Sequence, residues 1–337
     1  MTDGPGLKSK LIFWGNLLLG VAIFTYVMRL YGAEALAILR FEISPAALAA
    51  FLGVSVSSIV CLSWRWGYIL RGLSKPLSLT ALVLYRSAGH SLEVLVPSGR
   101  LGGDPLRAWL AVRAGVPANH SIASTAVDRT LEIGATAPFS ILFAMLLLQH
   151  GVPQLERAVV TVTVATAALA LGIVMALRKL RSGSGLISAL MRKTGADQWP
   201  VVDSSMDVIE ASEQATVELA GQRPRMIAAF AVGLLSNLIV IAEFALLLHA
   251  FGLPTTSVAV VGAIFATGAA HMFPIPAGVG VLEGAQMWLF EMLGHSAEVG
   301  LAVGLAVRFR ELLWMVPGLI YLIARNFAPS LERARPA

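Results

Sequence analysis

The chain has 337 residues, of which 57% are hydrophobic and only 13% charged, and its mean hydropathy is +0.76. A soluble domain carries roughly twice that share of charge and needs far less apolar surface, so composition excludes a soluble enzyme and points to a polytopic membrane protein. The net charge of +5 is too modest to suggest nucleic-acid binding, and the lone Cys61 forms no internal disulfide or zinc cluster.

In chain order, apolar runs of spanning length fall at about 11–30, 46–66, 121–148, 157–177, 226–250 and 299–324. The first is too long for a signal-peptide core and reads as a retained span. Two further apolar regions, 79–115 and 257–294, are broken in the middle. Pro97-Ser98-Gly99-Arg100-Leu101-Gly102-Gly103-Asp104-Pro105 interrupts the first, and Pro274-Ile275-Pro276-Ala277-Gly278-Val279-Gly280 the second. Backbone so rich in Pro and Gly leaves the helix, and at membrane depth it survives only against protein or a water-filled cavity. The expectation is an all-α polytopic membrane protein: about six full spans plus two re-entrant or broken-helix hairpins, eight hydrophobic regions in a single integral membrane domain over 1–337.

Basic residues set the orientation. Lys8, Lys10, Arg65, Arg71, Lys75, Arg178, Lys179, Arg181, Arg223, Arg225, Arg325, Arg333 and Arg335 all reach the cytoplasm if both termini are cytoplasmic and each hairpin re-emerges on its own side. The segment 178–225 is the one long loop. The apolar spacing of Leu186, Ile187, Leu190, Met191, Val208 and Ile209 suggests short amphipathic helices on the cytoplasmic surface, with a solvated linker as the alternative.

A shift of 179 residues lays the second half on the first without a gap. Pro97 meets Pro276, Gly99 meets Gly278, Asp104 meets Glu283, Trp109 meets Trp288 and Gly115 meets Gly294. Arg129 meets Arg308, Glu132 meets Glu311 and Pro138 meets Pro317. An odd number of spans between the hairpins makes the repeat inverted, with halves at about 11–148 and 157–325. Span one would pair with span four, and the broken tips would meet near the midplane, as in many secondary transporters.

Intramembrane charges are expensive and mark a candidate site. Arg129 and Glu132, like Arg308 and Glu311, are three residues apart and share a helix face. They suit either a cationic site for an anionic head group, with each glutamate holding its arginine, or a pair of buried structural salt bridges. At the hairpin tips, Gly102 and Gly103 lead to Asp104, which can cap the next helix, with Arg107 adding charge; Gly278 and Gly280 precede Glu283. Such tips could offer free N–H groups to a phosphate, or the glycines could serve the turn alone. Arg86, His90 and Glu93 share a face of the first hairpin, and His271 lies near the second tip. No metalloprotease, nucleophile-elbow, phosphate-loop or zinc motif is present, so no cofactor and no metal are expected.

The stretches VPSGRLGGDPLRAWLAVRAGVPANHSIASTAVDR, ending at Arg129, and FPIPAGVGVLEGAQMWLFEMLGHSAEVGLAVGLAVR, ending at Arg308, resemble the flippase-like membrane domain of lysylphosphatidylglycerol synthases. Pro97, Gly102, Gly103, Arg129, Pro276, Gly278, Gly280, Glu283 and Arg308 carry the resemblance. Full synthases add a soluble aminoacyl-transferring domain, and none follows span six in this sequence. The resemblance therefore implies the flipping half: movement of a polar lipid, anionic, aminoacylated or hopanoid-type, across a bacterial cytoplasmic membrane. The alternatives are an integral-membrane subunit or enzyme of lipid, hopanoid or polyprenyl-glycan biosynthesis, with Asp104, Asp128 or Glu283 as acid or base, and a scaffold for a cytoplasmic biosynthetic enzyme docked on 182–224. Membrane lipids are the expected partners, nucleic acid is not, and the oligomeric state is not legible.

Overall fold

The computed structural model describes residues 7–41, 43–96, 102–149, 153–181, 185–199, 203, 205–271, 273 and 275–325. Among these the chain is helical throughout, without strands. Twelve α-helices run α1 (Leu7–Phe41), α2 (Pro45–Leu70), α3 (Leu79–Leu95), α4 (Gly103–Arg113), α5 (Ala118–Gln149), α6 (Pro153–Arg181), α7 (Ile187–Thr194), α8 (Met206–Gly221), α9 (Arg223–Ala250), α10 (Ser257–Ala270), α11 (Val281–Met292) and α12 (Ala297–Ala324). Four of them hold apolar windows fit to cross a bilayer: Val21–Leu39, Pro45–Leu70, Thr163–Leu180 and Arg223–Ala250. At 32 and 28 residues, α5 and α12 are also long enough to cross, with charged residues inside. The protein is a polytopic membrane protein.

Local chemistry starts the helices where the sequence provides caps. The Ser44 hydroxyl accepts from the Ala47 N–H ahead of Pro45, Ser78 does so from Ala81, and Thr256 from Ala259. The broken regions become the pairs α3–α4 and α10–α11. With 11 and 12 residues, α4 and α11 are each only about 16–18 Å long, well short of the hydrocarbon core. Close contact folds the first pair back on itself: a Cβ on Gly103 would sit 2.5 Å from the Gly89 carbonyl oxygen. In the second pair, Gln286 of α11 donates to the Ala263 carbonyl and the Thr267 hydroxyl of α10, both at 3.0 Å. Pro97 to Leu101, including Arg100, and Pro274 lie outside the described residues.

The largest interface joins the halves through α2 and α9, helices that correspond under the 179-residue shift. The main apolar core packs α10, α11 and α12 with parts of α1, α2 and α9. None of the Thr163–Leu180 window of α6 is buried inside the protein. The segment 182–224 is not a free linker, because α8 packs along α5 and α7 packs on α8. The same shift lays α8 on the C-terminal part of α1, and both α6 and α8 rest on α5 as α1 rests on α12.

Candidate functional site

Each half brings its arginine and glutamate together with a carboxylate from its own hairpin. In the first, Arg129 Nε donates to Asp104 Oδ2 at 2.6 Å and Nη1 to Glu132 Oε1 at 3.1 Å. In the second, Arg308 Nε donates to Glu283 Oε1 at 2.7 Å and Nη1 to Glu311 Oε2 at 2.9 Å. Both arginines lie about 16 Å along their long helices, near mid-depth if those helices span. The repeated triad makes the repeat visible in side-chain geometry as well as in sequence.

The surroundings differ. In the first half a buried electrostatic knot lies behind the triad. Asp128, with no exposure, accepts from Arg65 Nε at 2.8 Å and from Arg86 Nη1 and Arg107 Nη1 at 3.1 Å each. Glu132 Oε2 accepts from Arg65 at 3.1 Å and from Arg86 at 2.8 Å. Arg107 also reaches Asp104 at 2.7 Å, and Arg129 approaches Glu93 at 3.5 Å. Arg65 is thus not a cytoplasmic flanking residue as its place near the end of span two suggested. It is fully buried, its charge cancelled by Asp128 and Glu132.

Asp104 departs from the expected cap. Gly102 occupies the N-cap position of α4 without a side-chain hydrogen bond, and the Asp104 carboxylate is taken by Arg107 and Arg129. At the second tip, the Gly280 N–H donates to Glu283 at 2.8 Å, so the α11 start is capped from within. Arg308 also bonds the Ala277 carbonyl and, at 2.9 Å, the Gly278 carbonyl. Its five N–H donors are all spent inside the protein. Ala277 holds φ at 54°, a left-handed conformation costing about 1–2 kcal/mol outside glycine. Arg308 therefore ties down a strained tip.

A cavity of about 820 Å³, its mouth included, opens between the halves. Gly103, Asp104, Arg107, Arg129 and Glu132 line it, together with Arg86, His90 and Glu93 of α3 and Arg310 and Trp314 of α12. Arg308, Glu311, Glu283, Gly278 and Gly280 are not in this wall. Among the described residues, Arg107 Nε, His90 Nε2 and Arg310 Nε, three buried nitrogens of wall residues, have no hydrogen-bond partner. Buried polar atoms left unpaired are costly, and these lie just beneath the accessible wall. Arg310 is held by Glu243 at 2.8 Å, which also accepts from Ser55 at 2.5 Å. Sequence spacing did not single out this pair as part of the site, because its partners lie 67 residues apart.

A second cavity of about 1190 Å³ adjoins the first across Leu62, Glu132, Val240 and Arg310. It lies between part of α5, at Thr136, Ser140 and Phe143, and part of α10, at Phe265, Thr267 and Gly268. The equivalent gap in the other half is closed. There Gly318 of α12 lies against the Ser87 carbonyl and Ala88 of α3, and Ser91 Oγ donates to the Met315 carbonyl at 2.7 Å.

No curated protein and no solved structure matches the chain significantly. The family model described as "Lysylphosphatidylglycerol synthase TM region" matches residues 13–318, and with nearly the whole chain covered the protein belongs to that family.

Proposed function

We propose that this multi-pass membrane protein, whose family links it to membrane lipids, moves a polar lipid between leaflets of the membrane. The head group enters the cavity between the halves while the acyl chains stay in the bilayer. The observation that carries this reading is a charged cavity joined to a side opening. The wall carries Arg86, Arg107, Arg129 and Arg310, and the gap between α5 and α10 gives a path lined by Thr136 and Ser140. A phosphate fits such donors, because arginine presents several N–H groups in a fixed fork.

Arg129 and Arg308 have a different part in this scheme from the one their spacing suggested. Each is engaged by carboxylates, so each holds a hairpin to its long helix. Rocking of one half against the other then carries the hairpins as units. The reading favours a translocase over an enzyme, since Asp104, Asp128 and Glu283 are each committed to arginine and poorly placed as acid or base. The test is movement of fluorescent phosphatidylglycerol, phosphatidylcholine and an aminoacylated lipid in proteoliposomes. Arg310→Lys keeps the charge beside Glu243 but loses the guanidinium fork, and is expected to slow movement about tenfold, or about 1.4 kcal/mol. Unchanged movement in Arg310→Lys would take the head group out of this cavity.

A further inference from the structure

We propose that His271 and Glu311 form a proton-binding site, and that its loading and unloading couples the second hairpin to a proton gradient; the coupling part rests on the translocase reading above. His271 caps the end of α10, and Glu311 lies on α12. Their side chains are 6% and 5% exposed.

The geometry demands a proton. His271 Nδ1 is 2.7 Å from the Thr267 carbonyl oxygen, which can only accept, so Nδ1 carries a hydrogen. Nε2 is 2.6 Å from Glu311 Oε1. In the neutral tautomer with its hydrogen on Nδ1, Nε2 and Oε1 would be two acceptors facing each other at hydrogen-bond distance. One further proton must therefore lie between them, on the ring or on the carboxyl.

Among the described residues, Arg308 bonds the other Glu311 oxygen at 2.9 Å, and Glu283 of α11 stands behind it. Two other elements pack on the 276–278 turn. Among the described residues, Arg29 and Glu34 of α1 and His90 and Glu93 of α3 form no ion pair with either partner. Both side chains are buried, so loading and unloading the proton requires water to reach the pair. That access comes from movement of the hairpin tip. The first half lacks this device, because the counterpart of His271 is Leu92 and Glu132 is neutralised by Arg65, Arg86 and Arg129.

Two measurements test this. The first is ring-nitrogen NMR of the reconstituted protein with ¹⁵N-labelled histidine, the His271 signal being the one lost in His271→Gln. The expected result is a proton shared between the His271 ring and the Glu311 carboxyl, seen as a far-downfield signal that Glu311→Gln removes. A ring that shares no proton with Glu311 at any pH would overturn the site. The second is movement of fluorescent phosphatidylglycerol in proteoliposomes under pH gradients of opposite polarity. A severalfold dependence on polarity in wild type, lost in His271→Gln, is expected. Brisk movement at equal rates under both polarities would remove the coupling. If wild type moves no lipid, the translocase reading and the coupling fall together, and the NMR result alone decides the proton site.

Discussion

The two halves hold the same triad of arginine, glutamate and hairpin carboxylate in different company. Around Arg129 stand Arg65, Arg86, Arg107 and Asp128. At the matching positions around Arg308 the sequence has Phe244, Phe265, Gln286 and Val307. The first half is a charged, cavity-lining assembly; the second is a compact clamp on a strained turn. Symmetry thus supplies the scaffold, and departures from symmetry supply the chemistry. The gates differ likewise: Gly318 lets α12 pack closely along α3, whereas its counterpart Phe139 stands on α5, which touches α10 over only part of its length and leaves a cavity between them. A one-sided opening of this kind is what an alternating-access cycle passes through.

The sharpest way to break the comparison is Asp128→Asn. It takes one of two carboxylate partners from each of Arg65, Arg86 and Arg107 and should cost about 3–5 kcal/mol, because a buried charge network loses its central anion. Thermal unfolding in detergent checks it; the matching change Val307→Ala should cost far less. A melting temperature left unmoved by Asp128→Asn would show that the knot does not hold the first half together.

Next in size is the gate. Gly318→Val forces a side chain against the Ser87 carbonyl and should cost about 1–3 kcal/mol by overpacking. It should also part α3 from α12, so that a cysteine placed at Ser91, now buried, reacts faster with a maleimide. Phe139→Gly should instead let α5 approach α10 and slow labelling of a cysteine at Ser140. Unaltered labelling in both variants would mean that these residues do not set the gates.

The smallest effect concerns α7, on the segment 182–224. Its start is held by Glu213, which accepts from the backbone N–H groups of Leu186 and Ile187 at 2.7 and 2.5 Å and from Ser188 Oγ at 2.5 Å. Burial pushes this carboxyl up, but the hydrogen bonds from Ser188, Ile187 and Leu186 outweigh it and hold the group below the usual glutamate range. A lowered folded-state value means stability that is present above the unfolded-state value and is lost as pH falls through the folded one. Glu213→Gln should therefore cost about 1–2 kcal/mol at neutral pH, the worth of charge-assisted bonds, and nothing in strong acid. Limited proteolysis near residues 186–194 at two pH values measures it.

Much of this was legible in the sequence. Charge-poor composition gave the membrane class, Pro–Gly breaks gave the hairpins, and one constant offset gave the repeat. Spacing placed Arg129 beside Glu132 and Arg308 beside Glu311. It could not show that Asp104 and Glu283 would complete those pairs, since that depends on how each hairpin folds against its long helix. Arg65 was misread because a buried arginine near the end of a span has the same local sequence as a cytoplasmic anchor; only Asp128, 63 residues away, distinguishes them. Arg310 with Glu243 and His271 with Glu311 stayed hidden for the same reason.

The measurement that tests the central claim most directly is photo-crosslinking of the reconstituted protein with a phospholipid carrying a diazirine on its head group. The account predicts labelled peptides from the cavity wall, around His90 on α3 and Arg310 and Trp314 on α12, reduced by excess unlabelled phosphatidylglycerol. Labelling confined to lipid-facing positions such as Leu169 and Leu171 on α6, with no cavity peptide modified, would contradict passage of the head group between the halves.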